Sequence, residues 1–344
     1  MSFATAVVAD LGGTHSRFAL ATRDDHGAIH LTHAVTMESR SSASLDPLIH
    51  AYRAQLRPDA AAAFGLAVAG PVANGKCFAT NLPWVLDADA LRTSLHATHL
   101  ALMNDFEAVA WGVRETPAAL LETLQTGRMN RSAPLAVIGA GTGLGEALAT
   151  LGERFVVMPT EGGHADFAAR DAFEDGLLTM LRLRFPEHVS VERIVSGPGI
   201  SAILEHTLAT QRSALSTVDV QRFEAMLEKD EPARDVVQCA AEGDALCGAV
   251  LDRFVDLYGA EAGNFALKSL PRAGLYIAGG LATRMMERMR GRFLAAFLAK
   301  GRMRGVLKEV PVHVVLDPEV GLRGAAARVF AEMRGNCGFG SECQ

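Results

Sequence analysis

The chain has 344 residues, a length that ordinary domain size divides into about two domains. Hydrophobic residues make up 49% and charged residues 21%, the balance of a globular protein able to bury a sizeable core. The formal net charge is −6 with no Lys/Arg-rich run, which argues against nucleic acid as a partner. In chain order, "TAVVADLGGTHSRFALAT" predicts two strands joined by a Gly-containing turn, a hairpin rather than a crossover. Asp10 ends the first strand, and Gly12, Gly13 and Thr14 form the turn. Such a turn suits phosphates: glycines admit close backbone approach, successive N–H groups form an anion nest, and a threonine adds a hydroxyl donor. Asp10 would hold Mg²⁺ through water, since Mg²⁺ keeps most of its hydration. The same residues also fit a plain hairpin turn, and they match neither a Walker A loop nor a dinucleotide fingerprint.

"SLDPLIHAYRAQL" has helical period, "AAAFGLAVAGPV" reads as a strand closed by Gly70-Pro71, and "DADALRTSLHA" reads as a helix with Asp87 as its N-cap. In "HLALMNDFEAVAWG" an apolar strand ends in Asn104-Asp105 and gives way to a helix with Phe106, Val109 and Val113 at helical spacing. The pair fits helix capping. It also fits ligand chemistry, because ligands of α/β proteins bind at the carboxyl ends of strands. This stretch alone leaves both readings open.

After a polar stretch over 125–134, "APLAVIGAGTGLGEALATL" repeats the opening layout of strand, Gly/Thr turn and strand, a weak internal repeat that reads as duplication. Its turn carries Gly141, Thr142 and Gly143, a second candidate phosphate clamp. "EGGHADF" places Glu161 and His164 on one Gly-rich loop, from which both side chains can reach one ligand. The periodicity then predicts helices over 172–185, 199–211 and 220–228, and a long run over 233–268. "HVSVERIVSGPG" contributes Glu192; Ser190 is positioned to cap the short helix there, so Glu192 also fits a capping interaction. "AGLYIAGG" is a strand ending in Gly279 and Gly280, followed by a helix from Thr283. "VPVHVVLD" is the last strand and "GLRGAAARVFAEM" the last helix. The tail over 335–344 has no periodicity and is predicted to be disordered.

The N-terminus has no basic leader, and no apolar stretch of about 18 residues escapes a Gly, Pro or charge. The five cysteines, Cys77, Cys239, Cys247, Cys337 and Cys343, form no C-x-x-C pair. These features predict a cytoplasmic protein without a zinc site or a membrane partner.

The two Gly/Thr hairpins followed by "YIAGG" resemble the actin-like ATPase superfamily of sugar kinases, heat-shock chaperones and actin. Within it, the chain is similar to bacterial glucokinases of the ATP-dependent, non-ROK type from Val7 to about Phe330. "DLGGTHSR" and "GAGTGLG" resemble that family's two phosphate turns, "TNLPW", "EGGHADF" and "VSVERIVSGPG" its sugar segments, and "NDFEAVA" its catalytic Asn-Asp. "YIAGG" resembles its adenosine turn and "PEVGLRGAA" its returning interdomain helix. The resemblance implies an α/β, two-domain actin-like (ribonuclease H-like) fold with mixed sheets, flanking helices and the active site in the interdomain cleft. It divides the chain into a small domain, 1–112 plus about 315–334, and a large one, 113–314.

It implies transfer of the γ-phosphoryl of ATP to the 6-hydroxyl of glucose, with ATP and Mg²⁺ bound and a homodimer as the assembly. Asp105 would accept the hydroxyl proton, with Asn104 on the neighbouring hydroxyl and Asn81, Glu161, His164 and Glu192 on the others. Gly279 and Gly280 would lie against the purine. The Cys-rich zinc motif of ROK relatives is absent, so His164 reads as a sugar ligand. His15 departs from the Asn more usual in the first turn, and the tail has no counterpart role. A kinase of mannose, fructose or an N-acetylated amino sugar, or one using polyphosphate, fits the same motifs. A sugar-responsive regulator would need a helix-turn-helix, for which the nine residues before Asp10 leave no room. An ATP-driven chaperone or filament subunit would have no use for the Asn-Asp and Glu-Gly-Gly-His set.

Overall fold

A computed structural model describes residues 4–57, 61–79, 82–152 and 154–335. The chain opens with the predicted hairpin: β1 (Ala4–Leu11) and β2 (His15–Arg23) pair antiparallel, and β3 (Ile29–Glu38) extends them. Helix α1 (Asp46–Arg53) leads to β4 (Ala63–Val68). Three short strands follow, β5 (Val72–Ala73), β6 (Lys76–Phe78) and β7 (Val85–Asp87), forming a small antiparallel sheet. Helix α2 (Ala88–Ser94) is capped by Asp87, whose carboxylate accepts the N–H groups of Asp89 and Ala90. Then come β8 (His99–Asn104) and α3 (Asp105–Glu115). The first large sheet has the order β3-β2-β1-β4-β8 among the described residues.

The second sheet uses β9 (Leu121–Gln125), β10 (Leu135–Ala140), β11 (Leu144–Leu151) and β12 (Phe155–Thr160), then β13 (Leu275–Ala278) and β14 (Val312–Val315). Its order is β12-β11-β10-β13-β14-β9 among the described residues. Between β12 and β13 lie α4 (Ala172–Arg184), α5 (Gly197–Gln211), α6 (Thr217–Leu227), α7 (Pro232–Ala241) and α8 (Ala245–Ser269). The long helical run expected over 233–268 is therefore two helices. Gly243 turns the chain between them at φ +96°, a left-handed conformation that suits glycine, and Asp244 caps α8 through the N–H of Cys247 at 2.8 Å. After β13, α9 (Gly280–Arg284) starts at the second glycine of the turn rather than at Thr283. Short segments α10 (Met286–Arg288), α11 (Leu294–Phe297) and α12 (Arg304–Lys308) precede β14, and α13 (Val320–Met333) is the last helix. The tail over 336–344 lies outside the described residues.

Mixed sheets with flanking helices make this an α/β fold. The chain divides into two compact units: Met1–Leu121, Ala147–Pro159 and Asp317–Gln344 in one, Glu122–Glu146 and Thr160–Leu316 in the other. In the first unit α13 packs on α3 and β4 at helix-to-backbone contact. A Cβ on Gly324 would stand 1.6 Å from the carbonyl oxygen of Ala108, and one on Gly112 would stand 2.0 Å from that of Val320. Small residues at this crossing let the two helices approach as closely as backbones permit, and α3 is held there.

Candidate active site

In the first unit, β1, β4 and β8 run parallel, and their register aligns Leu11, Val68 and Asn104 in one row. Asp10 therefore lies one residue before that row and Asp105 one residue after it. With strands roughly 4.8 Å apart, the two carboxylates leave the same carboxyl edge of the sheet, separated by one intervening strand. This edge is where an α/β sheet binds ligands.

Of the two readings of Asn104-Asp105, capping falls to Asn104. Asn104 is the cap: its Oδ1 accepts the N–H groups of Phe106 at 2.8 Å and Glu107 at 3.3 Å. Its Nδ2 donates to the carbonyl of Gly70 at 3.0 Å, tying the strand end to the neighbouring loop. Asp105 is the first helical residue, and its Oδ1 accepts the N–H of Phe106 at 3.0 Å. A carboxylate in a helix's first turn is favoured by the helix dipole. The buried Cys77 lies close enough that the Asp105 charge, after burial, pushes its thiol upward. Asn81 falls outside the described residues.

The first glycine turn is braced from beneath. Gly12 donates its N–H to the carbonyl of His15 at 3.1 Å, and Ser39 donates its N–H to Thr14 and its hydroxyl to the carbonyl of Gly12, at 2.9 and 2.7 Å. The Ser16 and Ser39 hydroxyls share a 2.9 Å hydrogen bond, and both residues are fully buried. These braces take the carbonyl oxygens of Gly12, Thr14 and His15, while Thr14 is exposed at the tip. Asp10 is half-buried beside it, and a Cβ on Gly321 at the start of α13 would stand 3.3 Å from its Oδ2. Burial pushes the Asp10 carboxyl up, and the Arg17 guanidinium across the hairpin offsets this only in part. A partly desolvated carboxylate with no side-chain hydrogen bond among the described residues suits a hard, hydrated cation such as Mg²⁺.

In the second unit, the turn Gly141–Gly143 joins β10 to β11. Gly141 donates to the carbonyl of Gly143 and accepts from the N–H of Gly197, both at 2.8 Å. Glu192 Oε2 accepts the N–H of Leu144 at 2.9 Å. The expected Ser190 cap does not form; Ser196 caps α5 instead, accepting from the Gly199 N–H at 3.2 Å and donating to the Glu192 carbonyl at 2.6 Å. One face of the Glu192 carboxylate thus fastens its segment to the glycine turn.

The Glu-Gly-Gly-His loop lies on the same strand. A Cβ on Gly163 would stand 2.1 Å from the carbonyl oxygen of Leu144, and one on Gly162 would stand 2.0 Å from Glu146 Oε2. Glycine at both positions lets the loop sit against β11. The Glu161 and His164 side chains converge, with Oε2 and Nε2 3.9 Å apart and side-chain exposures of 65% and 59%. The loop is zipped to the Glu192 segment by N–H bonds from Phe167 to Val189 and from Val191 to Ala165. His188 adds two contacts at 2.8 Å, to the His164 carbonyl and to Asp166. Glu161, His164 and Glu192 therefore belong to one framework with Gly141–Gly143. At the end of β13, Gly279 takes φ +93° and packs so that a Cβ would stand 2.8 Å from the Ala140 carbonyl oxygen. Gly280 opens α9 and is exposed, with nothing within 4 Å of an added Cβ.

Ser16, Ser39, Tyr258 and Glu146 were not legible as site supports. Tyr258, buried, accepts the N–H of Ala140 at 3.2 Å and so props the end of β10. Glu146 is 3% exposed, and its Oε1 lacks a hydrogen-bond partner among the described residues. Burial first, then the charge of Glu261, pushes its carboxyl up to about 8. Its signal in the sequence was a lone carboxylate inside the apolar strand "LGEALATL".

The glucokinase family model matches residues 7–332. The chain is 38% identical over 330 residues to the glucokinase of Trichormus variabilis, covering 92% of this chain and 96% of that protein. It is 36% identical over 327 residues to the glucokinase of Zymomonas mobilis, covering 93% and 96%. Among solved structures, a glucokinase from an Antarctic psychrotroph superposes with a TM-score of 0.81 at 31% identity, covering 96% of this chain and 99% of that one. A glucokinase from Balamuthia mandrillaris in complex with glucose shares the fold at 21% identity, with a TM-score of 0.72 and coverage of 94% and 93%.

Proposed function

Because this chain belongs to the glucokinase family and so converts glucose and ATP to glucose 6-phosphate, we propose that Asp105 is the base that takes the proton of the 6-hydroxyl. The observation that carries this role is the division of labour at the end of β8. Asn104 meets the helix's capping demand, and Asp105 stands in the first turn of α3 at the sheet's carboxyl edge. A carboxylate held by a rigid strand end and a clamped helix keeps its position while the phosphoryl group moves. Positioning dominates here, because phosphoryl transfer has a loose transition state.

Asn104 directs its remaining amide hydrogen to the neighbouring hydroxyl. Glu161, His164, the second oxygen of Glu192, and Asn81 take the other hydroxyls of glucose. Such a site discriminates well, because a wrong sugar leaves buried polar groups unpaired. Gly12, Gly13 and Thr14 with Gly141, Thr142 and Gly143 receive the phosphates, and Gly279 and Gly280 lie against the adenine. Asp10 holds Mg²⁺ through water; the ion would neutralise charge on the phosphates. This reading assigns the chain the actin-like, two-domain architecture, with a small domain of 1–112 and about 315–334 and a large one of 113–314. It also calls for closure around glucose to exclude water as a competing acceptor, and for a cytoplasmic homodimer.

The test is ATP-to-ADP turnover with Mg²⁺ across a hexose panel and a sugar-free control. Turnover on glucose, little on mannose, fructose or N-acetylglucosamine, and almost none on water supports the assignment of Glu161, His164 and Glu192 to glucose hydroxyls. Equal turnover on several hexoses contradicts it.

A further inference from the structure

The turn between α7 and α8 gathers Cys239, Asp244 and Cys247, whose ligand atoms all lie within 4.8 Å of one another. Arg222, on α6, reaches into the group. Its Nη1 donates to Cys239 Sγ at 3.7 Å, and its Nη2 donates to Asp244 Oδ2 at 2.5 Å. Cys239 is half-buried and Cys247 fully buried.

Three such groups resemble a soft-metal site, but the guanidinium already occupies the side from which two of them would bind a cation. A fixed positive charge beside the Cys239 sulfur disfavours a metal ion there. The two sulfurs also differ in the way that thiol–disulfide chemistry uses. Cys239 is the one in contact with the guanidinium and partly open to solvent. Cys247 is sealed, and burial, followed by the neighbouring Cys239 and Asp244, pushes its thiol upward. We propose that Cys239 and Cys247 form a modification site, at which a peroxide oxidises the pair to a reversible intramolecular disulfide.

The Cys239 thiolate attacks the peroxide O–O bond. One oxygen stays on sulfur as a sulfenic acid, and the other leaves as water after taking a proton. The Cys247 sulfur then attacks the sulfenic sulfur, and the S–O bond breaks. The hydroxyl leaves as a second water with the Cys247 proton, and the S–S bond remains. Two electrons, one from each sulfur, have reduced the peroxide. A small dithiol reverses the change by exchange. Residues 239–247 close a short loop, so the bond links two helices that already touch at this turn.

The experiment uses the full chain with Cys337→Ser and Cys343→Ser, which leaves three thiols, and doses it with hydrogen peroxide. Intact mass should fall by 2 Da, peptide mapping should join Cys239 to Cys247, and dithiothreitol should reverse both. In Cys247→Ser, dimedone should trap the sulfenic acid on Cys239. Arg222→Gln should slow oxidation of Cys239 about tenfold, and Arg222→Lys should restore most of the rate. Oxidation of Cys239 no faster than that of the buried Cys77, or an unchanged rate in Arg222→Gln, overturns the proposal. So does one equivalent of zinc that copurifies with the protein and is lost in Cys239→Ser, since a metal would claim both sulfurs.

Discussion

Glu192 accepts the backbone N–H of Leu144 at 2.9 Å, so a side chain expected to serve the sugar or a helix cap also holds the second glycine turn in place. Removing it leaves a half-buried N–H unpaired, a cost of about 1–3 kcal/mol. Glu192→Ala is therefore expected to raise KM for ATP as well as KM for glucose, each by about tenfold or more. Steady-state kinetics with each substrate varied in turn checks this. A rise confined to glucose would show that the Leu144 contact does not set the turn.

Glu146 is a neutral acid in the folded protein at neutral pH, because burial raises its carboxyl from 4.5 to about 8. Below its unfolded value both states hold the proton. As pH climbs toward 8, the unfolded chain releases that proton while the folded chain keeps it, so stability falls with pH. The slope is about 1.4 kcal/mol per pH unit for a full proton. Glu146→Gln, which keeps a neutral polar group under Gly162, should flatten the loss of stability between about pH 5 and 8. Denaturant midpoints across that range provide the comparison, and superimposable profiles would count against this account of Glu146.

Much of this organisation is legible in the sequence, and the exceptions share a cause. The hairpin at Asp10–Thr14, the Asp87 cap and the strand ending at Asn104 are local patterns, set by glycines, short polar side chains and alternation. The strands β5, β6 and β7 are two or three residues long, too short to show a period. The two helices within 233–268 share one apolar pattern, and only Gly243 marks the break. The supports of the site were hidden for another reason. Ser39 is buried under a turn 27 residues away, and Tyr258 meets Ala140 across 118 residues. Neither pairing leaves a trace in sequence spacing.

The helix crossing at Gly324 yields a stability prediction. A methyl group on Gly324 would overlap the Ala108 carbonyl, 1.6 Å away, and neither helix can yield without moving α3. Gly324→Ala should destabilise the protein by about 3 kcal/mol or more, read from chemical denaturation. A change below about 0.5 kcal/mol would mean that α13 and α3 have slack that the structure does not show.

Asn104→Asp tests capping and catalysis separately. Asp is as good an N-cap as Asn, so Asn104→Asp should leave stability within about 1 kcal/mol. It removes the amide donor to Gly70, however, and adds a charge beside Asp105, so kcat should fall at least tenfold. Unchanged kcat in a stably folded variant would place the Gly70 tie outside the catalytic machinery.

The role of Asp105 is tested most directly by Asp105→Asn, with glucose affinity measured by calorimetry and kcat measured with saturating ATP and Mg²⁺. The amide keeps the shape and cannot take a proton. The account predicts glucose binding within about threefold of the parent and a loss of kcat of about 10²–10⁴, the range of a general base. A kcat near that of the parent, in a variant that binds glucose normally, would contradict it and move the proton to another acceptor.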